Sequence, residues 1–234
     1  MRENTPPTSD ESENDRTSRR NLLGAAAVAG SGLLAGCLDG SSSETEEQNT
    51  PPQSEDETPQ STDENRVLIV FFSRTENTQA VAEMIREEVG GELFEVLPAE
   101  PYPVDYDTLV SQVDEENEAG YTPPLQCLVE DIGAYDTVFF GAPTWDMQLP
   151  PPMKTFLREH DLGGKNVVPF NTNGGYGVGS SFQTIEDRCP NADVREGFST
   201  RGGLERDGVY LAIKEDRREE VRAEVTDWLQ RIRI

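Results

Sequence analysis

The chain is 234 residues long and carries 45 acidic against 20 basic residues, a net charge of −25 at pH 7. Arginine supplies nearly all the positive charge, lysine occurring only at Lys154, Lys165 and Lys214, and no basic patch exists that could neutralise a phosphate backbone. Nucleic acid is thereby excluded as a partner, and a single histidine, His160, leaves little for a histidine metal site or a Ser-His-Asp triad.

Taken in chain order, Ser18-Arg19-Arg20-Asn21-Leu22-Leu23 opens an apolar stretch of small residues, Leu22 to Leu34. It is too short and too rich in Gly and Ala to span a bilayer. With its arginine pair it resembles a twin-arginine export signal. Leu34-Ala35-Gly36-Cys37 resembles a bacterial lipobox, in which cleavage leaves a lipidated Cys37 as the mature N-terminus. For residues 1–37 the resemblance implies export in the folded state and anchoring to the outer face of the cytoplasmic membrane. Residues 38–65, rich in Ser, Glu, Thr, Pro, Gln and Asp, cannot offset the entropy of ordering themselves. They read as a disordered acidic tether, reaching at most roughly 90 Å from Cys37 to Arg66. Tether and domain share the acid excess, which fits adaptation to very high salt, where the Debye length falls to about 3 Å. The rival reading is an acidic docking surface for a basic redox partner.

Residues 66–234 suffice for one domain. Val67 to Phe72 is a continuous apolar run, the pattern of a strand buried on both faces. Helical periodicity follows from Gln79 to Val89, with Val81, Ile85 and Val89 on one face. Glu92 to Val96 alternates as a second strand, and a weak helix spans Asp107 to Glu118. Thr137 to Gly141 is a third strand, and Pro150 to Leu157 a helix with Met153, Phe156 and Leu157 facing inward. Asn166 to Asn171 is a fourth strand, although Pro169 removes a ladder donor and argues against a regular central position. Phe182 to Asp187 is a short helix, and Val194 to Phe198 a fifth strand. The final helix carries one stripe: Val221, Val225, Trp228, Leu229 and Ile232. Cys127 and Cys189 lack metal-ligand spacing; an exported protein can pair them, but separate thiols are the commoner arrangement. His160 reads as a helix-end residue.

Strands alternating with helices predict an α/β, mostly parallel, doubly wound sheet covered on both faces. In such sheets ligands gather beyond the carboxyl ends of the strands, so the loops after the first, third and fourth strands should converge. The first, Ser73-Arg74-Thr75-Glu76-Asn77-Thr78, is a hydroxyl-rich turn into a helix N-terminus, suited to a phosphate. The second contains Pro143, Thr144, Trp145 and Asp146; its indole can present a flat face to a planar ligand. The third, Asn171-Thr172-Asn173-Gly174-Gly175-Tyr176-Gly177, lets the backbone approach a ligand closely and adds a second aromatic face. Each loop alone also reads as an ordinary N-cap, core cap or flexible turn.

The first loop resembles the phosphate loop of flavodoxins, Ser/Thr-x-Thr-Gly-Asn-Thr, departing from it at Glu76. Gly141 to Trp145, Pro150 to Leu157, Val168-Pro169-Phe170 with the Gly-rich loop, and Cys189-Pro190-Asn191-Ala192 extend the resemblance to the flavodoxin family in order. Relatives commonly carry a second tryptophan where Asp146 stands. The resemblance implies a flavodoxin-like five-stranded sheet in the order 2-1-3-4-5 that binds FMN, and it accommodates Pro169. Ser73 to Thr78 would hold the phosphate, with Arg74 adding charge. Trp145 would stack on the ring system, and Gly174 to Gly177 would line its pyrimidine edge. The expected function is an FMN-dependent electron carrier with a redox protein or quinone as partner and no catalytic side chain of its own. The alternatives are a flavin-dependent NAD(P)H:quinone-type reductase and, supported by Glu76, a tethered binding module without flavin.

Overall fold

The computed structural model describes residues 66–234; the export signal, the lipobox cysteine Cys37 and the tether fall outside them. The first apolar run is strand β1 (Val67–Phe71), buried at every position. Val67, Ile69 and Phe71 face one core, while Leu68, Val70 and Phe72 face another. This is what a strand does when helices cover both sides of its sheet. α1 (Asn77–Val89) follows, then β2 (Glu92–Glu95), α2 (Tyr106–Ala119), β3 (Thr137–Pro143), α3 (Pro151–Glu159), β4 (Asn166–Asn173), α4 (Ser181–Arg188), β5 (Asp193–Val194), β6 (Phe198–Arg201) and α5 (Glu215–Ile232).

The sheet is parallel in the order β2-β1-β3-β4-β5, with β6 also pairing with β4. The fifth position is thus filled by two short strands, where the sequence suggests one from Val194 to Phe198. The break accounts for Pro169. The carbonyls of Val167 and Asn173 accept from the amides of Arg195 and Gly202, both at 2.9 Å. Odd-numbered residues of β4 therefore point toward β5 and β6, so Pro169, which has no N–H, lies opposite the interruption from Arg195 to Gly197. A proline becomes tolerable in a central strand because its neighbour is absent at that point.

The α1/α5 face buries the stripe predicted for the last helix, with Trp228 against Phe139 and Phe198 and its Nε1 donating to the Glu196 carbonyl at 3.0 Å. The opposite face packs Met153, Phe156, Leu157 and Ile185 from α3 and α4. His160 terminates α3, stacked on Phe156, with Nε2 accepting from the Val129 amide at 3.1 Å. Cys127 is exposed, Cys189 is buried, and both are free thiols. α2 starts at an Asp105 N-cap whose carboxylate accepts from the amide and hydroxyl of Thr108. No helix among the described residues is long and apolar enough to cross a membrane.

Candidate functional site

The chain between β1 and α1 turns sharply at Glu76, which adopts the left-handed conformation, φ 62°. Glycine takes this conformation without strain; glutamate carries a steric cost of about 1–2 kcal/mol. The turn leaves α1 without a side-chain cap at its N-terminus. The amides of Arg74, Thr75, Glu76, Asn77 and Thr78 have no acceptor among the described residues. Neighbouring N–H groups at a left-handed kink, backed by a helix dipole, form an anion cradle.

The side chains of this loop are largely committed to holding the loop itself. Asn77 is buried; its Nδ2 donates to the Thr75 hydroxyl and the Tyr210 carbonyl, and its Oδ1 accepts from the amides of Ala212 and Ile213. Arg74 does not point its charge into the cradle: its guanidinium forks onto Glu205 and donates to the carbonyls of Pro103 and Val104. Thr78 shares a 2.8 Å hydroxyl contact with Thr172 of β4, and Ser73 Oγ accepts from the Gln79 amide. The cradle is therefore a backbone device with hydroxyls around it.

Beyond β3, Trp145 and Gln148 pair through two backbone hydrogen bonds around a two-residue turn, Asp146-Met147, both with positive φ. Such a turn normally takes Asn-Gly. It is clamped from outside: Gly179 comes so close that a Cβ there would lie 2.0 Å from the Met147 carbonyl oxygen. The Asp146 carboxylate accepts from Asn117 and Gln148, and Lys154 donates to the oxygens of both amides. Trp145 is half-buried, meeting the rings of Phe72 and Tyr102 edge-on at 5.0 Å.

Beyond β4, Asn171 is buried and ties the two loops together, its Nδ2 donating to the Ala142 carbonyl and to Thr144. Thr144 in turn donates to the Gly177 carbonyl. Asn173 Oδ1 accepts from the amides of Gly175 and Gly177. Those two amides are thus used internally, and Gly174 and Tyr176 have the loop's amides without an acceptor among the described residues. The exposed Tyr176 accepts a 2.9 Å bond from Arg206.

Around one cavity of about 560 Å³ stand Arg74, Thr75, Asn77 and Thr78, then Pro143 to Met147, then Thr172, Asn173, Gly174 and Tyr176. The three loops named from the sequence converge. Ser73, Glu76, Asn171, Gly175 and Gly177 are not among the lining residues and serve as supports or turn residues of the same loops. Such a volume is ordinary for a cofactor site. A family model described as Flavodoxin matches residues 66–214. The chain belongs to the flavodoxin family.

Other likenesses agree with this membership. A curated flavodoxin of Synechocystis is 25% identical over 187 residues, 72% of this chain and 96% of its own length. A solved structure of a Bacteroides eggerthii protein classed as a flavoprotein is 31% identical, with a TM-score of 0.59, covering 72% of this chain and 98% of that one. A Lactobacillus acidophilus flavoprotein, solved in complex with FMN, shares the fold at 24% identity and a TM-score of 0.52, covering 58% and 93%.

Two walls of this flavodoxin-family cavity escape the sequence reading. One is α2, through Tyr106, Leu109, Val110, Val113 and Asp114; the other is the segment Gly202 to Glu205. Leu109 and Val113 stand four apart, a signal of a helix face, but nothing local says which cavity that face closes.

Proposed function

We propose that this chain is an FMN-binding electron-transfer protein held outside the cytoplasmic membrane by a lipid at Cys37. The observation that carries the cofactor reading is the meeting of an uncapped N–H cradle, a half-buried tryptophan and a glycine-rich turn around one cavity. The cradle would hold the phosphate by backbone donors, with Thr75 and Thr78 hydroxyls beside it. Trp145 would cover the ring system, and the amides of Gly174 and Tyr176 would meet its polar edge. Bound FMN supplies the one- and two-electron chemistry; the protein sets its environment. Stacking and the acidic groups Asp114, Asp146 and Glu205 disfavour an added negative charge there. The order of residues in Ser18 to Cys37 supports export, and the acid excess supports a saline setting. The test is the visible absorption spectrum of protein purified in concentrated salt: oxidised-flavin bands are expected, and a colourless protein that leaves added FMN fluorescence unquenched overturns the reading.

A second reading is favoured by the apolar α2 wall, since Leu109, Val110 and Val113 give the cavity a greasy side on which a quinone could rest. Steady-state oxidation of NADH or NADPH with quinone acceptors separates a reductase from a carrier.

A further inference from the structure

Trp145 lies between two rings of different chemistry. Phe72 is inert to oxidation under ordinary conditions. Tyr102 is not, and its ring centroid stands 5.0 Å from the indole at an interplanar angle of 89°. Among the described residues this is the one contact between a tryptophan ring and a tyrosine ring. The Tyr102 hydroxyl donates to Glu116 Oε2 at 2.6 Å, a short charge-assisted bond. Glu116 is buried, and its other oxygen accepts from Gln112 Nε2 at 2.8 Å. Both neighbours donate, so the geometry is that of an ionised carboxylate. Burial first, and then the Glu116 carboxylate, push the Tyr102 phenol far above its ordinary range. Loss of an electron makes the phenol far more acidic, so the proton is given up most readily as the electron leaves, and the bonded Glu116 oxygen lies in place to take it.

We infer that Trp145, Tyr102 and Glu116 form a one-electron relay that removes oxidising equivalents from the cavity. An oxidising radical arriving there takes one electron from the Trp145 indole and is itself reduced, leaving an indole radical cation. Trp145 then takes one electron from Tyr102, while the Tyr102 hydroxyl proton passes along the 2.6 Å bond to Glu116 Oε2. The balance is neutral Trp145, a neutral phenoxyl radical at Tyr102 and a protonated Glu116. One electron has left the protein and no proton has.

Among the described residues no other tyrosine joins both parts: the Tyr135 hydroxyl also donates to a carboxylate, Glu92 Oε2 at 2.8 Å, but its ring meets no tryptophan. Trp228 is enclosed, its Nε1 is spent on a carbonyl, and its ring neighbours are phenylalanines. The Tyr176 oxygen is bonded to the Arg206 guanidinium, which cannot accept a proton. The relay rests on the chain's own side chains, whichever reading of the cavity holds.

The test is pulse radiolysis of the full-length protein with azidyl radicals, following indole and phenoxyl absorbance. Direct attack on the exposed tyrosines gives an immediate phenoxyl offset; the relay is the later growth of phenoxyl in step with indole decay. That growth is expected to be first order, independent of protein concentration and slower in D2O. Tyr102→Phe, which keeps the ring, is expected to abolish it, and Glu116→Gln to slow it, in variants whose circular dichroism matches the parent. Growth that survives Tyr102→Phe at the parent rate overturns the proposal. So does a parent protein with no delayed phenoxyl growth, or with the same rate in H2O and D2O, a comparison that needs no variant.

Discussion

Arg74 and Glu205 lie 131 positions apart and meet in a two-pronged pair, Nε to Oε2 and Nη2 to Oε1, both at 2.8 Å. Their side chains are only 17% and 10% exposed. The remaining guanidinium donors hold the Pro103 and Val104 carbonyls. One side chain of the turn between β1 and α1 thus fastens two distant segments around the cavity.

Removing one half of that pair strands a mostly buried charge. Arg74→Ala is expected to cost about 3 kcal/mol, lowering Tm by roughly 6–12 °C. The double change Arg74→Leu with Glu205→Leu should recover most of it. Urea melts of the three proteins measure this; a single-variant loss below about 1 kcal/mol would assign the pair to ordinary surface ion pairs.

Glu76→Gly removes a steric cost of about 1–2 kcal/mol at positive φ but adds chain entropy worth about 0.5–1 kcal/mol to the unfolded state. The expected net gain is small, about 0.5 kcal/mol. The larger effect should appear in FMN titration, because a carboxylate beside the cradle is gone: several-fold tighter binding. Weaker binding would mean that the glutamate contributes to the site.

Salt should act on this site with unusual sign. Asp114, Asp146 and Glu205 line the cavity against Arg74 alone, and Arg74 is already paired. Screening weakens the repulsion between these acids and a phosphate dianion. FMN affinity is therefore expected to rise from dilute to molar KCl, as read by flavin fluorescence quenching. A fall with added salt would show that attraction, not repulsion, dominates.

The Thr108 hydroxyl and amide, bonded to Asp105, hold its carboxyl below the ordinary value of 3.8. A lowered folded value means the folded state releases this proton more readily than the unfolded chain does. The stabilisation is fully present above 3.8 and is lost as pH falls through the lower folded value. Asp105→Asn keeps a capping oxygen but removes the titration. Its stability should fall less steeply with acid than the parent's, as denaturant melts across that pH range would record.

The strands of the central sheet are legible in the sequence because an apolar run of five or six residues between turn residues, such as Val67 to Phe72, is too short for a core helix and too greasy for a loop. The edge is not legible: Asp193, Arg195 and Glu196 carry no periodicity, so nothing marks where β5 stops and β6 starts. Pro169 reads as an objection until the break opposite it is known. The three strand-end loops are legible through residue type, whereas roles within them are not. Arg74 reads as a phosphate ligand and is instead spent on Glu205, a contact no local pattern reveals. Tyr102, in a proline-flanked connection, gives no sign that it lies against Trp145.

The interruption between β5 and β6 has a consequence at the margin of the sheet. Two residues and then four, separated by three that lie outside both ladders although the Arg195 amide still reaches the Val167 carbonyl, offer no long straight row of amides and carbonyls to a passing chain. A foreign segment aligning there would lose register within one or two bonds. The same kink that makes room for a proline thus blunts the domain against end-on stacking with copies of itself.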